Sequence, residues 1–429
     1  MRIRFRWLTI AMIVVLVIIN YIDRSAISYA VQPLSSQFGI TTTEYGLISS
    51  AFSLGYLVFA LASGPLVDRF GPRKILLTGV IVWSIASAIT PVSGGFTGLL
   101  LIRIVLGVGE APGFPAATRI TSRWLRQGER GFALSLIGGV AVSGSLLIGG
   151  PIVTQLIAGT GWRGTFWILG AAGLVWAVAA AGLLFNTPAD NPRVSAAERA
   201  HIAAGQRAEE AEGVRSSVDW RRLLANRNLW IVGIGYFAWG FMFWAFLYWL
   251  PSYLSKSFGL SLTQVGAFSV APWAAGIVGA LVGGVLVDRM YARYQRVRSR
   301  FVIIGIALLL SGASLIPVIV APSLATALTS ISLGVGFGFI TGGIWWVVSI
   351  DAEPSQPASA AGFADAAFAL SGLVAPSVMG FIVQGTGSFT SGFVVMAVLS
   401  VVGAGLMIAC TRETPAVRQS AQEATPARR

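Results

Sequence analysis

The 429-residue sequence contains little charge for its length. Only 11% of its residues are Asp, Glu, Lys or Arg, against about 25% in ordinary soluble proteins, while 55% are apolar and the mean hydropathy is +0.76. A soluble fold of this size could not bury so much apolar surface. The composition therefore predicts a polytopic membrane protein.

Cysteine, histidine and lysine are almost absent. The one cysteine, Cys410, excludes an internal disulfide and a cysteine-cluster metal site. The one histidine, His201, lies in a polar stretch, which excludes a histidine zinc site and a buried histidine proton relay. Neither lysine, Lys74 or Lys256, follows a glycine as a phosphate-binding P-loop requires. We therefore expect a protein that is not an enzyme, holds no cofactor or metal, and uses a gradient rather than ATP.

The net charge of +13 results from 30 basic and 17 acidic residues and gives a pI of about 10.8. In a soluble chain such a charge would suggest nucleic-acid binding. Here the arginines are scattered over several short loops between apolar segments, as the positive-inside rule produces on the cytoplasmic side. We therefore expect contact with the lipid bilayer and none with nucleic acid.

Apolar segments long enough to cross a bilayer core of ~30 Å recur along the chain. The first covers about 7–30; it lacks a clean cleavage site and contains Asn20, Asp23 and Arg24, so it predicts a retained helix rather than a signal peptide. The others lie at about 44–65, 74–92, 97–118, 130–154, 164–186, 229–254, 263–287, 301–320, 324–350, 358–384 and 391–410. The pattern predicts an all-α polytopic membrane protein with 12 transmembrane helices in two six-helix bundles.

Basic residues concentrate on alternate loops. The opposite set of loops offers little beyond Arg163 and Lys256, so we expect both termini to be cytoplasmic. The predicted domains are a first bundle at 1–186, a cytoplasmic linker loop at 187–228, a second bundle at 229–412 and a disordered cytoplasmic tail at 413–429. Within the linker, Ser195-Ala-Ala-Glu198 is a capping-box pattern that predicts a short helix.

One sequence pattern occurs in both halves. Gly64-x-x-x-Asp68-Arg69 ends the second segment, and Gly284-x-x-x-Asp288-Arg289 ends the eighth, 220 residues later. The glycines permit close backbone approach. Two repeats of six helices imply a pseudo-twofold axis along the membrane normal and a central site between the halves.

Several motifs together resemble the major facilitator superfamily and, within it, the anion:cation symporter branch. The resemblance covers nearly the whole chain and depends on the order and spacing of the motifs. They are Gly64-Pro-Leu-Val-Asp68-Arg69-Phe-Gly71-Pro-Arg73-Lys74, Asn20-Tyr21-Ile-Asp23-Arg24, Phe52-Ser-Leu-Gly55-Tyr56, Arg103-Ile-Val-Leu-Gly107-Val-Gly109-Glu110-Ala-Pro112-Gly-Phe114-Pro115, Gly161-Trp162-Arg163-x-x-Phe166 and Trp249-Leu-Pro251-Ser-Tyr253.

Members of this branch typically move organic anions such as sugar acids with protons or sodium, so the resemblance implies such an activity here. It implies that the coupling protons are carried by Asp23 and Glu110. It implies substrate contacts at Tyr21, Tyr56, Arg24 and Arg103. The first repeat motif resembles a gating loop, and with its counterpart it implies gating roles for Asp68, Arg69, Arg73, Asp288 and Arg289.

Ionisable residues inside apolar segments need an explanation, because a charge at the bilayer centre costs about 2.5–3.5 kcal/mol. Arg103 and Glu110 are seven residues apart, so they project from one helix face roughly 10.5 Å apart, too far for an easy salt bridge. This spacing suits a guanidinium that grips a carboxylate at one level and a proton carrier at another. Asp23 and Arg24 point about 100° apart, so one of them can face the fourth segment. The alternative, for either pair, is a buried ion-pair network that links the first and fourth segments.

The second half departs from the branch. Asp365 and Ala369 stand where the branch usually has asparagines, and the tenth segment contains Trp346. Fewer polar groups and more indoles favour a less polar or aromatic carboxylate over a heavily hydroxylated sugar acid, with Trp346 and Asp365 as substrate contacts. Asp365 also leaves a third proton site or a zwitterionic substrate open, and the tryptophans leave packing or interface anchoring open.

The sequence therefore predicts a monomeric secondary transporter of the inner membrane. Its expected activity is the uptake of a small organic anion (a carboxylate, sugar acid or aromatic acid) by proton-coupled symport and alternating access, with sodium as the alternative coupling ion. A proton-driven efflux antiporter stays open, because 144–151 faintly resembles an antiporter motif, although its trailing glycines are missing. A non-transporting membrane receptor or sensor is the third possibility, although a sensor would usually carry an appended signalling domain.

Overall fold

The computed structural model describes residues 5–210, 219–294, 298–353 and 355–411. Throughout these ranges the regular secondary structure is helical, and none of the described residues lies in a strand. The predicted all-α class is confirmed. The predicted disordered tail at 413–429 lies outside the described residues.

The first part of the chain forms nine α-helices. They are α1 (Phe5–Tyr29), α2 (Val31–Phe38), α3 (Thr42–Phe70), α4 (Pro72–Ile89), α5 (Phe96–Glu110), α6 (Gly113–Trp124), α7 (Gln127–Ser135), α8 (Ala141–Leu183) and α9 (Ala196–Glu210). A short π-helical segment, Leu136–Val140, joins α7 to α8.

The second part forms ten α-helices. They are α10 (Trp220–Ala225), α11 (Arg227–Phe258), α12 (Leu262–Phe268), α13 (Val270–Tyr294), α14 (Arg298–Ala313), α15 (Ile316–Val320), α16 (Leu324–Ile340), α17 (Ile344–Ala352), α18 (Pro357–Thr386) and α19 (Thr390–Gly405).

Within the described ranges, nine helices are long and apolar enough to cross a membrane, or up to eleven if each of two bent helix pairs counts as one span. One of the nine, Glu129–Leu183, is 55 residues long, far more than a ~30 Å core requires. Gly161 interrupts it with a left-handed φ of 70°, between the predicted segments 130–154 and 164–186. The total of twelve and the orientation of the termini stay predictions.

The predicted helix in the linker exists as α9. The Ser195 hydroxyl accepts a hydrogen bond from the Glu198 backbone N–H at 3.2 Å, which is one half of the predicted capping box. The Glu198 carboxylate accepts hydrogen bonds from the backbone N–H groups of Phe5 at 3.2 Å and Arg6 at 3.1 Å. A linker carboxylate therefore caps the start of α1, where free N–H groups and the helix dipole favour negative charge.

The chain divides into two compact units. The first consists of 1–215, 247–270 and 376–385, and the second of 216–246, 271–375 and 386–429. The first unit thus includes a stretch of α11, all of α12 and a stretch of α18 in addition to the first nine helices. The domain boundaries expected from the sequence stay predictions.

Glycines bring α3 and α5 into backbone contact in the first unit. A Cβ atom added at Gly107 would lie 2.1 Å from the Phe52 carbonyl oxygen, and one added at Gly55 would lie 2.1 Å from the Ile104 carbonyl oxygen. Only a residue without a side chain fits at either position. This close approach places the side chains of α5 directly beside Phe52.

We expect Gly107→Ala to lower the unfolding midpoint of the purified protein in detergent. The added methyl group overlaps the α3 backbone, and overpacking of this kind typically costs about 1–3 kcal/mol. Gly144→Ala in α8 is the matched control, because a Cβ there meets nothing within 4 Å. The midpoints are measured by thermal unfolding. Equal midpoints for the two variants would show that α3 and α5 are not in such close contact.

Candidate functional site

Four helices of the first unit bring polar and aromatic side chains together. All of these side chains are buried except that of Tyr56, which is half-buried. They are Asn20, Tyr21, Asp23 and Arg24 from α1, Phe52 and Tyr56 from α3, Ser87 from α4, and Arg103 and Glu110 from α5. Six of the eight residues predicted for substrate and proton binding therefore belong to one cluster.

Arg24 is paired with Glu110. Its Nε and Nη2 atoms lie 3.0 and 2.5 Å from Glu110 Oε2, and Nη2 also donates to Asn20 Oδ1 at 3.3 Å. The side chains are 4% and 0% exposed, so the ion pair is dry. As the sequence predicts, one of the two adjacent charges of α1 faces the fourth predicted segment. The pair is a buried ion pair between the first and fourth predicted segments, as in the alternative weighed from the sequence, and it joins one member of each sequence pair, Asp23–Arg24 and Arg103–Glu110.

Arg103 is a buried cation with an uncharged partner. It is 2% exposed, and its Nη2 donates to the Tyr248 hydroxyl at 3.0 Å. Its Nε is buried and has no hydrogen-bond partner. Among the residues that the structure describes, no carboxylate lies within salt-bridge distance of this guanidinium. An anion that reached Arg103 would find an uncompensated charge and a free donor.

Phe52 lies close to both arginines. The Cζ atoms of Arg24 and Arg103 are 4.5 and 5.0 Å from the centre of its ring. Arg24 also lies 4.5 Å from the Tyr21 ring and 5.6 Å from the Tyr56 ring. Aromatic faces attract cations without neutralising them. The predicted tyrosines therefore stabilise Arg24, and an unpredicted phenylalanine stabilises both guanidiniums.

Asp23 belongs to the same cluster but is not part of the Arg24–Glu110 ion pair. It is 1% exposed, and its Oδ1 accepts a hydrogen bond from the Ser87 hydroxyl at 2.6 Å. Its Oδ2 is buried with no hydrogen-bond partner. A buried carboxyl with a single hydrogen bond costs much less free energy when it is neutral than when it is charged. This surrounding fits a carboxyl that carries a proton.

In the second unit, Asp365 accepts a hydrogen bond from Trp346. The Trp346 Nε1 atom lies 3.0 Å from Asp365 Oδ1, and both residues are exposed. The two residues therefore form a polar pair on the surface of an apolar helix bundle.

Three other indoles of this unit, those of Trp239, Trp244 and Trp345, are packing residues. Tyr236 stacks on Trp345 at 4.8 Å and on Phe368 at 5.0 Å, and Trp239 stacks on Phe368 at 5.3 Å. The Trp244 Nε1 atom donates to the Phe368 carbonyl oxygen at 3.3 Å. Buried rings that contact one another in this way fill a core, which is the packing alternative for these positions.

The predicted gating residues lie at helix ends. Arg119 Nε is 3.3 Å from Asp68 Oδ1, and both side chains are exposed. Arg73 ties the start of α4 to the end of α8: its Nη2 donates to the Ala181 carbonyl oxygen, and its backbone N–H donates to Asn186 Oδ1 at 3.0 Å. The side chains of Arg69 and Arg289 are exposed. The side chain of Asp288 lies outside the described part of the structure.

Three members of the cluster, Asn20, Phe52 and Ser87, were not among the predicted site residues, and neither was Tyr248 of α11, which contacts it. Phe52 had a usable signal, because it stands four residues before Tyr56, and residues at that spacing share a helix face. Ser87 and Tyr248 had none, since serines and tyrosines occur throughout these apolar segments.

The chain matches a protein-family model described as Major Facilitator Superfamily over residues 13–365. It is 33% identical over 404 residues to a protein named as a probable sulfoacetate transporter of Cupriavidus necator, covering 94% of this chain and 93% of that protein. It is 31% identical over 392 residues to the hexuronate transporter of Bacillus subtilis, with 90% and 89% covered. A probable L-galactonate transporter of Escherichia coli is 29% identical over 407 residues, with 92% and 87% covered.

Two solved structures share the fold. A bacterial homologue of the human lysosomal transporter Spinster aligns with a TM-score of 0.76 at 17% identity, covering 97% of this chain and 99% of that one. A D-xylose–proton symporter aligns with a TM-score of 0.73 at 16% identity, covering 96% and 98%. The predicted major facilitator fold is confirmed.

A double-mutant cycle should show that Arg24 and Glu110 stabilise the protein as a pair. We expect Glu110→Leu alone to cost about 3–5 kcal/mol, because it removes the carboxylate that neutralises the buried Arg24, and Arg24→Met with Glu110→Leu to recover most of that loss. The measurement is thermal unfolding of the purified protein. The same cycle at the exposed pair of Asp68 and Arg119 is the control and should give a coupling near zero. Additive costs at the buried pair would contradict the ion pair.

Proposed function

The chain belongs to the Major Facilitator Superfamily, and we propose that it takes up a small organic anion across the inner membrane together with a proton. The observation that carries the proposal is the buried guanidinium of Arg103, which has no counter-ion among the described residues. Relatives named as transporters of sulfoacetate, hexuronate and L-galactonate support an organic anion as the substrate.

Arg103 is the primary anion-binding residue of this proposal. A planar guanidinium can hold a carboxylate or sulfonate through two parallel hydrogen bonds. Its free Nε supplies one donor, and Nη2 supplies the other. An anion bound there would neutralise a charge that the apolar surroundings otherwise leave uncompensated. Binding would thus recover part of the cost of keeping Arg103 away from water.

Glu110 and Asp23 are the proposed proton carriers, in different settings. A proton on Glu110 would remove the charge that holds Arg24, and Arg24 would then be free to contact the anion along with Tyr21 and Tyr56. A proton on Asp23 would remove a negative charge near the same cluster. In both cases the protonated protein binds an anion better than the unprotonated one. By linkage the anion then favours proton binding equally, which is the differential interaction that symport requires.

The second unit supports a substrate with few hydroxyl groups. Its indoles and phenyl rings are largely occupied by stacking on one another, and the pair of Trp346 and Asp365 is the polar group proposed there as a substrate contact. A compact acid, or one with an aromatic or amine group, suits these aromatic and acidic side chains better than a heavily hydroxylated sugar acid. The exposed contact between Asp68 and Arg119 supports a gating role, because exposed ion pairs are weak enough to break in each transport cycle.

We expect Arg103→Ala and Arg103→Lys to lose anion binding and uptake. Lys carries the charge but lacks the planar fork, so it should recover little of the affinity. The measurement is a thermal-shift screen of purified protein over sulfoacetate, glucuronate, galactonate and benzoate, followed by uptake into proteoliposomes. Arg163→Lys, at an exposed arginine, is the control. Wild-type affinity in both Arg103 variants would remove Arg103 from the substrate site.

Glu110→Gln should abolish uptake driven by a pH gradient while leaving counterflow exchange intact. Glutamine imitates the protonated carboxyl, so the protein can bind anion but can no longer release the proton. Glu44→Gln is the control, since Glu44 caps the start of α3 and lies outside the cluster. Proteoliposomes loaded with the anion identified by the thermal-shift screen provide both measurements. An unchanged pH dependence of uptake in Glu110→Gln would show that Glu110 does not carry the coupling proton.

A further inference from the structure

Arg103 is connected to a helix contact through Tyr248 of α11. Tyr248 is fully buried, and its hydroxyl accepts the hydrogen bond from Arg103 Nη2 at 3.0 Å. Its backbone carbonyl oxygen accepts a hydrogen bond from the Tyr45 hydroxyl at 2.8 Å. The Tyr45 ring in turn packs edge-on against Trp249 with ring centres 5.0 Å apart. One residue thus touches both the anion-binding guanidinium and the first turns of α3.

The same contact extends to α18. Trp249 Nε1 donates to the Pro376 carbonyl oxygen at 3.2 Å, and Ser377 donates to the Ser50 hydroxyl from its backbone N–H at 3.1 Å and from its own hydroxyl at 2.7 Å. A Cβ added at Gly46 would lie 2.6 Å from the Pro376 carbonyl oxygen. We name this set of interactions among α3, α11 and α18 the α3 contact; all of it lies within the first unit.

We propose that Tyr248 is a positioning residue that links anion binding at Arg103 to opening of the α3 contact. The proposal rests on the proposed function, because it takes Arg103 as the anion site. The Nη2 atom of Arg103 is already bound to the Tyr248 hydroxyl, whereas Nε is free. Nη2 carries two N–H groups, so an anion that takes both atoms as a two-point ligand shares Nη2 with the hydroxyl; its negative charge then lies beside the tyrosine oxygen and draws Nη2 away from it, which weakens the hydrogen bond to Tyr248.

Weakening of the bond to the Tyr248 hydroxyl weakens the α3 contact because the same residue takes part in both. The bond to Arg103 fixes its side chain, and the Tyr45 hydroxyl bonds to its backbone. When the first of these bonds is broken, α11 loses one of its attachments to α5. Anion binding and a closed α3 contact therefore oppose each other, and by linkage a closed contact weakens the affinity for the anion.

Tyr248→Phe tests this coupling, since it removes the hydroxyl and keeps both the ring and the backbone carbonyl. We expect the Kd for sulfoacetate to fall about tenfold, equivalent to about 1.4 kcal/mol, because no hydroxyl competes for Arg103. Glucuronate serves as the second probe and should show the same direction. Tyr253→Phe is the matched control: it removes a hydroxyl from the same helix, five residues further along.

A labelling experiment measures the α3 contact without any anion. Ser50 is 3% exposed, so Ser50→Cys should react slowly with N-ethylmaleimide while the contact is closed; Cys410→Ala removes the native cysteine. We expect sulfoacetate to accelerate labelling in the wild-type background. Tyr248→Phe should raise the anion-free rate severalfold above the Tyr253→Phe control and abolish the response to sulfoacetate.

The outcomes separate the two proposals. An equal or higher Kd in Tyr248→Phe would mean that the hydroxyl is a ligand of the anion or is unrelated to it, and would overturn the inference. An anion-free labelling rate equal to that of Tyr253→Phe would overturn it as well, even if no probe binds. Failure of sulfoacetate, glucuronate, galactonate and benzoate to bind wild-type protein would instead contradict the proposed function.

Discussion

The structure of the first unit depends on how four ionisable side chains balance their charges away from water. Two cations, Arg24 and Arg103, and two carboxyls, Glu110 and Asp23, are buried there, yet one ion pair forms among them. The remaining cation and the remaining carboxyl are held by uncharged hydroxyl groups. Each of these two therefore gains from a ligand of its own: an anion for Arg103 and a proton for Asp23. This division of charges gives a physical reason for binding both species together.

Such an arrangement needs helices that approach closely and side chains that hold charges without cancelling them. The glycines of α3 and α5 supply the first condition, because their missing side chains let Phe52 reach two guanidiniums at 4.5 and 5.0 Å. The ring supplies the second, since a cation–π contact is worth about 0.5–2 kcal/mol and leaves the net charge unchanged. A carboxylate in place of Phe52 would neutralise the charge of Arg103, and the site would no longer attract an anion.

The sequence predicted which segments are apolar, which charges interrupt them and where a linker helix begins, since these depend on composition and local pattern. It did not predict that Arg24 would pair with Glu110, because the rotation of α1 against α5 is set by packing along both helices. The hydroxyls of Tyr248 and Ser87 were missed for a related reason: their role comes from the position of a neighbour remote in sequence. Glu198 of the linker shows the same limit. Its capping-box pattern correctly predicted the start of a helix, but its carboxylate binds the backbone of α1, which is remote in sequence.

The second unit differs from the first in how its polar groups are used. Its Arg300 and Asp351 are paired at 2.7 Å, and its Arg222 and Glu353 are paired at 3.1 Å. These pairs satisfy one another, so they offer no unbalanced charge to a ligand. Asp365 is the exception, because its partner is an indole N–H and its own charge is unopposed.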